Sequence, residues 1–412
     1  MGCVAFMKRH REGQDDVHGL VLLAEPYVSD LLQASIIGMG LAVYEVEPLP
    51  QLRADVRQQI VDQATAHNLI NAPHASVYMN SENALAFYLQ ELKDDNRKQA
   101  IVSLKDKHRF RKLLAKVYPE LNYREVLLSD LGSIDVATLR FPLVLKPSIG
   151  FFSAGVYIVR TAATWANTLE NLIAELGGED ITYPDSVLNR EKILIEDYID
   201  GPEFAIDAFF DSQGQPVLMN AMYHVFPSEV DTRDILYLTN QEIIESLQPE
   251  IMALLIQLNR RLDLRNFPLH LEVRRDATSG RLVPIEVNAG RFAGWCTTDL
   301  AFFAYGINPY ESFFEGIAPS GCATSDQSST FAFVILHPPI GTRFPADWAV
   351  DRLALERLLG DVLALRLVDH SRWGILGIAF VRYSKQAQAE SAVHLDLRSL
   401  LPTGGMAPLP SD

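Results

Sequence analysis

The sequence predicts a mixed α/β and α+β chain of several domains, on three observations. A length of 412 residues suits two to three domains, at roughly 150 residues each. Residues 20–93 alternate apolar runs with helical stretches, a β-α-β-α rhythm that builds open parallel sheets. Residues 193–288 read instead as successive strands closing in a hairpin. Apolar residues make up 48% and charged ones 21%, so the chain can bury a large core rather than remain disordered.

In order, residues 1–19 read as a polar, mobile lead-in. LVLLA (20–24) is a buried strand, Ser29 to Met39 a helix closed by Gly38-Met39-Gly40, and LAVYEV (41–46) a second strand. Residues 55–67 are helical in composition, 75–79 a third strand and 81–93 a third helix. No G-x-G-x-x-G follows the first strand, so a dinucleotide fingerprint is absent. Asp106 can cap a helix whose Phe110, Leu113, Leu114 and Val117 share one face. LVLK (143–146) runs into PSIGFFSAG (147–155) and returns as VYIV (156–159). A helix over 161–177 precedes a loop over 178–191. Strands follow at 193–197, 204–210 and 216–221, then a long polar connection at 226–241. Ile251, Leu254, Leu255, Leu258 and Leu262 mark an amphipathic helix. Residues 268–275 and 282–288 form a hairpin around Asp276-Ala277-Thr278-Ser279-Gly280. GCATSDQSST (321–330) looks like a boundary. Beyond it lie a strand, a helix (351–364) and strands at 365–369 and 375–382, a small C-terminal α+β appendage with a disordered tail.

Composition narrows the function. Acidic residues outnumber basic ones 52 to 36, a net charge of −16, which argues against a protein that coats nucleic acid. Cys3, Cys296 and Cys322 are too dispersed for a disulfide framework or a zinc pair, which fits a reducing, cytoplasmic setting. No uncharged apolar stretch is long enough for a membrane span, and the N-terminus lacks the order of a signal peptide.

Five features carry chemistry. In HLEVRRDATSGRLVPIEVN (270–288), alternate residues share a face. A hairpin therefore gathers Glu272, Glu286 and Asn288, hard oxygen donors of the kind Mg²⁺ takes. The plain alternative is a hairpin with its polar face in solvent. Lys146 precedes a loop with Gly150 and Gly155, which can lay backbone N–H groups on a phosphate or be an ordinary hairpin. In ILIEDYIDGPEFAIDAFF (193–210), Glu196-Asp197 and Glu203 flank a turn, placed to accept bonds from a ribose or adenine, or forming a solvated hinge. Lys107 opens a helix, where its charge opposes the macrodipole unless an anion is near. Arg291, between Gly290 and Gly294, can clamp a phosphate or carboxylate or make a surface ion pair.

Taken in order, Lys107, Lys146 with its glycine loop, E-D-Y-I then G-P-E, and Glu272, Glu286 and Asn288 resemble the ATP-grasp superfamily across residues 20–320. The resemblance is most specific over 143–155, 193–210 and 269–294. It implies an ATP-grasp fold: an N-terminal Rossmann-like open parallel sheet domain (20–104), a central subdomain (105–191), a C-terminal subdomain with the metal site (192–320) and the appendage (321–412). It also implies that ATP is held between the two ATP-grasp subdomains. By position, Lys107 and Lys146 meet ATP phosphates under a mobile loop, 148–155, that includes Phe152 and Ser153. Glu196 meets the adenine amino group, with the backbone of Asp197 and Ile199 on the adenine edge. Glu203 binds ribose, and Val144 and Ile285 sandwich the base. Glu272, Glu286 and Asn288 hold Mg²⁺, commonly two ions, with Mn²⁺ able to substitute. Arg291 steadies the transferring phosphoryl group.

The activity implied is that of an ATP-dependent carboxylate–amine ligase working through an acyl phosphate. RFAGW (291–295) resembles bacterial L-amino acid ligases, which points to amino acid substrates. In this chain two residues separate Asn288 from Arg291, where many relatives have one. D-alanine–D-alanine ligases share GPEF (201–204) but usually carry Arg where this chain has His270. His270 either points to the acyl-phosphate oxygen or is a satisfied strand histidine. His224, Arg233 and Asp234 are candidate substrate contacts, as is the stretch Trp295–Asp299. Relatives often form homodimers. The alternatives are an ATP-grasp ligase for another small acid, or a nucleotide-binding regulatory protein without turnover.

Overall fold

The structure, a computed structural model, describes residues 19–150, 155–177, 190–228, 231, 233–319, 328–338 and 351–400. The lead-in before Gly19, Phe152 and Ser153 with their neighbours in the glycine loop, most of the 178–191 loop, the core of the 321–330 boundary and the tail after Leu400 lie outside the described residues.

The first layer is a three-stranded parallel sheet. It is built from β1 (Gly19–Leu23), α1 (Asp30–Met39), β2 (Ala42–Glu45), α2 (Ala54–Arg57), α3 (Gln63–Ile70), β3 (Ser76–Met79) and α4 (Leu85–Glu91), with strand order β2-β1-β3. Leu20, Val21, Leu22 and Leu23 of β1 are wholly buried. At roughly 1.5–3 kcal/mol per large apolar side chain, this central strand anchors the layer. The helix expected over 55–67 is instead two. Val43 of β2 exchanges backbone bonds with Gln59 and Val61 (2.9 and 2.8 Å), which draws residues 59–61 alongside the strand. Asp62 then restarts the helix by accepting the Thr65 N–H at 2.8 Å.

Two helices lead out of this layer: α5 (Asp95–Lys105), not anticipated from the sequence, and α6 (Lys107–Leu114). Asp106 caps α6 as expected, accepting the Arg109 N–H at 3.0 Å. A four-stranded antiparallel sheet follows, of β4 (Tyr123–Leu127), β5 (Leu143–Pro147), β6 (Tyr157–Val159) and, after α7 (Trp165–Leu176), β7 (Lys192–Asp197), in the order β4-β7-β5-β6. β4 also escaped the sequence reading, because its burial pattern has no clean alternation.

The largest sheet has eight strands. It takes β8 (Glu203–Phe210), β9 (Pro216–Val225), β10 (Leu236–Thr239), and, after α8 (Gln241–Leu262), β11 (Phe267–Arg275) and β12 (Leu282–Ala289). After α9 (Leu300–Tyr305) and α10 (Pro309–Glu315) come β13 (Thr330–Leu336), α11 (Arg352–Leu359), β14 (Asp361–Leu367), α12 (His370–Trp373), β15 (Gly377–Tyr383) and α13 (Gln386–Ser391). Strand order is β12-β11-β8-β9-β10-β13-β15-β14. The C-terminal segment is α+β as expected, but its three strands lengthen this sheet rather than build one of their own. β10, hidden in the polar connection, is the strand that joins the two halves. The helix expected to run to residue 364 stops at Leu359, because Gly360 (φ +93°) breaks it and Asp361–Leu367 pairs with β15. No helix among the described residues is long and apolar enough to cross a membrane.

Candidate functional site

A cleft of about 600 Å³ opens where the two antiparallel sheets face each other beneath the parallel layer. Every described residue singled out as a nucleotide, metal or catalytic candidate lines it: Lys107, Val144, Lys146, Glu196, Asp197, Ile199, Glu203, His270, Glu272, Ile285, Glu286, Asn288 and Arg291. His224 and Asp234 line it too. Arg233 does not. Its guanidinium pairs with Asp231 at 2.6 Å near the surface, outside the cleft lining.

The hairpin register explains the acidic patch. Glu272 lies directly opposite Glu286, and His270 opposite Asn288. Directly paired residues share a face, so the four polar side chains point the same way. Asn288 Nδ2 donates to Glu272 Oε1 at 3.5 Å. Burial pushes the Glu272 carboxyl well above the usual carboxylate range, and the Glu286, Glu203 and Asp234 charges add to this. Burial pushes on Glu286 as well, but Lys107 and Lys105 outweigh it and hold that carboxyl below its ordinary value. Two carboxylates that repel at close quarters fit a divalent cation, whose charge lets both ionise. Among the described residues no group of three or more His, Cys, Asp or Glu is placed to hold a metal. Two carboxylates and an amide leave the remaining positions to phosphate oxygens and water, the usual way Mg²⁺ is held.

The cationic side is pre-paired with acids. Lys107 Nζ sits 3.0 Å from Glu286 Oε2 and donates to the Gly150 carbonyl at 3.3 Å. Lys146 Nζ lies 2.6 Å from Glu196 Oε1. Arg111, which the sequence reading missed, grips Glu196 through Nε (2.6 Å) and Nη2 (3.1 Å), and Nη2 also reaches the Ile285 carbonyl at 3.1 Å. Burial alone would raise the Glu196 carboxyl, but Arg111 and Lys146 hold it down at about 2. Lys146 is shifted down, chiefly by burial. Both Glu196 oxygens are therefore engaged by cations. Asp197 is likewise committed: its N–H donates to the Asn122 carbonyl (3.0 Å), and its carboxylate takes two bonds from Asn122.

Glu203 follows a turn at Gly201, whose φ of +127° and contact with the Arg275 carbonyl leave no room for a Cβ. Its carboxylate accepts from Arg274 Nε at 2.9 Å and lies 3.0 Å from His224 Nδ1. These partners outweigh burial and hold it at about 2. His270 Nδ1 lies 2.8 Å from Asp207 Oδ1, which also accepts the Ala293 N–H at 2.8 Å. Asp207 itself is wholly buried. That bond turns His270 Nε2 towards Glu272, 3.8 Å away. The histidine is thus a satisfied strand residue that still presents one nitrogen to the cleft.

Arg291 Nη2 is 3.7 Å from Glu82 Oε2, and Glu82 also pairs with Lys105, whose Nζ donates to the Gly150 carbonyl at 3.1 Å. Among the described residues, Arg291 Nε and Arg111 Nη1 are buried without a partner, which leaves each a donor to offer a ligand. The loop carrying Arg291 starts at Gly290, where φ is +81° and a Cβ would strike Met79. Met79 N–H donates to the Gly290 carbonyl at 3.0 Å, which fixes this loop to the parallel layer. Glu82, Lys105 and Arg111 carried no local signal in the sequence. Each is an isolated charge, recognisable only once its distant partner is in place.

Residues 139–299 match the family model of the ATP-grasp domain. Solved structures extend the likeness to the whole fold. The L-amino acid ligase from Bacillus licheniformis is 18% identical with a TM-score of 0.66, covering 93% of this chain and 98% of that one. The N5-carboxyaminoimidazole ribonucleotide synthetase from Thermotoga maritima is 15% identical with a TM-score of 0.63, covering 93% and 98%. The biotin carboxylase from Campylobacter jejuni is 11% identical with a TM-score of 0.57, covering 90% and 88%. These likenesses establish the ATP-grasp fold. No curated protein matches significantly.

Proposed function

We propose that this protein is an ATP-dependent ligase that joins a carboxylate to an amine through an acyl phosphate, with amino acids as substrates. The observation that carries the proposal is one cleft in which paired carboxylates, two buried lysines and an arginine with an open donor converge. The L-amino acid ligase likeness and the RFAGW stretch support amino acids as the substrate class.

In this reading Val144 and Ile285 cover the adenine, and Glu203 meets the ribose. Lys107 and Lys146 exchange their glutamate partners for ATP phosphates. The substrate carboxylate attacks the γ-phosphorus, the bond to the ADP oxygen breaks, and an acyl phosphate forms. Glu272, Glu286 and Asn288 would hold Mg²⁺, which offsets charge on the phosphoryl group. Arg291 orients that group from the side of the parallel layer. The free amine then attacks the acyl carbon. It loses a proton, phosphate leaves with the acyl C–O electron pair, and an amide remains. Holding water away matters here because an acyl phosphate hydrolyses readily.

The test is ADP release across single amino acids, amino acid pairs and other small carboxylates, with hydroxylamine present to trap an acyl phosphate as a hydroxamate. Acid-dependent ADP and hydroxamate together bear the proposal out and name the acid. Mass spectrometry of the product names the amine. Tight ATP binding with no turnover on any acid would overturn it in favour of a regulatory nucleotide-binding protein.

A further inference from the structure

The loop that follows the metal hairpin is strained and anchored from outside the matched domain. Trp295 and Cys296 both hold left-handed backbone angles, φ 51° and 59°. Consecutive non-glycine residues rarely adopt this conformation, and it persists only where surrounding structure enforces it. The enforcing contact lies three residues on, at Asp299. Its side chain is wholly buried and its Oδ2 accepts from Arg366 Nη1 at 2.9 Å. Its Oδ1 accepts from the Tyr310 hydroxyl at 2.8 Å and from Ser29 Oγ at 3.4 Å. The Asp299 N–H in turn donates to the Cys296 carbonyl at 2.9 Å, which ties the anchor to the strained turn.

Arg366 comes from β14, the outer strand of the eight-stranded sheet, some 67 residues past the end of the ATP-grasp match. Its guanidinium packs over the Phe380 ring at 4.9 Å and near Phe303 at 5.7 Å. It is therefore held on two aromatic faces while it grips the acid. Trp295 lines the cleft, stacks along Tyr27 at 6.4 Å and meets Trp373 edge-on at 5.8 Å. Trp373 also lines the cleft, and its neighbour Arg372 pairs with Glu25 of the parallel layer. The C-terminal segment thus reaches the cleft at one end and secures it through a buried ion pair at the other.

We propose that Arg366 is a positioning residue: through Asp299 it holds the Trp295-Cys296 turn in shape, so that the C-terminal segment sets the geometry of the cleft wall that Trp295 and Trp373 form. Its functional part rests on the ligase reading, because it predicts that acid binding and not ATP binding depends on this contact. The geometric part does not, because it predicts a local change in the loop whatever the reaction.

The experiment compares wild type with Arg366→Met, Arg366→Lys and Asp299→Asn, with Arg382→Met as control. Arg382 pairs with Asp361 on the exposed side of the same segment. Hydrogen exchange over residues 291–299 reads the anchor directly. The expected result is faster exchange there in Arg366→Met and Asp299→Asn, partial recovery in Arg366→Lys, and no change in the control. In turnover, KM for the activated acid should rise about tenfold while ATP affinity stays within about twofold, the pattern of a misplaced reacting group. Unchanged exchange over 291–299 in a folded Arg366→Met protein overturns the anchor. An equal loss of acid and ATP binding, following global stability, overturns the positioning role. Should wild type show no acid-dependent ADP release, the ligase reading fails, and exchange alone still decides the anchor. If Arg366→Met does not fold, Asp299→Asn and Arg366→Lys carry the same comparison.

Discussion

Replacing Glu286 by Gln should move two properties in opposite directions. Glu286 Oε2 lies 3.0 Å from Lys107 Nζ, with the two side chains 15% and 4% exposed. At an effective dielectric near 20 the gross attraction of such a pair is about 5 kcal/mol. Much of this offsets the cost of burying the lysine charge, so only about 1–2 kcal/mol is expected to appear as net binding energy when Lys107 is released to a phosphate. Without metal, wild-type ATP meets a lysine already neutralised and a carboxylate that repels it. Glu286→Gln removes both obstacles. ATP affinity in the presence of a chelator should rise roughly five- to thirtyfold, the equivalent of that free energy. With Mg²⁺ present the same variant offers a neutral amide where a charged oxygen is needed, and phosphoryl transfer should slow by several kcal/mol of barrier, on the order of a thousandfold or more. Titration calorimetry with ATP, with and without chelator, and ADP release under saturating Mg²⁺ supply the two readings. Wild-type turnover in the variant, or metal-free ATP binding no tighter than wild type, would refute the arrangement of Lys107 and Glu286 described here.

Three further outcomes follow from the same geometry. The Glu196 carboxyl is depressed from 4.5 to about 2 in the folded protein. The stability this contributes is present above about pH 4.5 and lost as pH falls towards 2, amounting to about 3 kcal/mol. Urea unfolding between pH 2 and 5 should show a shallower fall in Glu196→Gln than in wild type, and equal slopes would contradict the pairing with Arg111 and Lys146. Arg111→Met leaves Glu196 buried with Lys146 alone and should cost about 3–5 kcal/mol in chemical denaturation; a change below about 1 kcal/mol, the range of an exposed pair, would show that Arg111 is not a buried partner. Gly290→Ala adds a Cβ against Met79 at a positive φ and should lower stability by about 1–3 kcal/mol, read as a drop in Tm, with an unchanged Tm arguing against that close approach.

The acidic pair was legible because strand alternation is a short-range rule. Once 268–275 and 282–288 are paired, Glu272, Glu286 and Asn288 must share a face. Asp106 was legible for a similar reason, since a cap acts within three residues. The breaks in the reading have local causes too. Residues 59–61 left the expected helix to pair beside β2, and Gly360 turned a helical composition into the start of a strand.

From the sequence alone came most of the elements, the fold class, the hairpin that pairs Glu272 with Glu286 and the order of the basic and acidic positions along the chain. These rest on interactions within a turn, a cap or a hairpin, where partners are close in sequence. The tertiary structure alone decided which glutamate neutralises which lysine, that Arg111 reaches Glu196 across 85 residues, and that Arg366 grips Asp299 from the far end of the sheet. It also decided that the C-terminal strands complete the large sheet rather than stand apart. An isolated charge in a sequence has many possible partners. Burial makes an unpaired charge too costly to keep, and only the packed fold shows which pairing meets that demand.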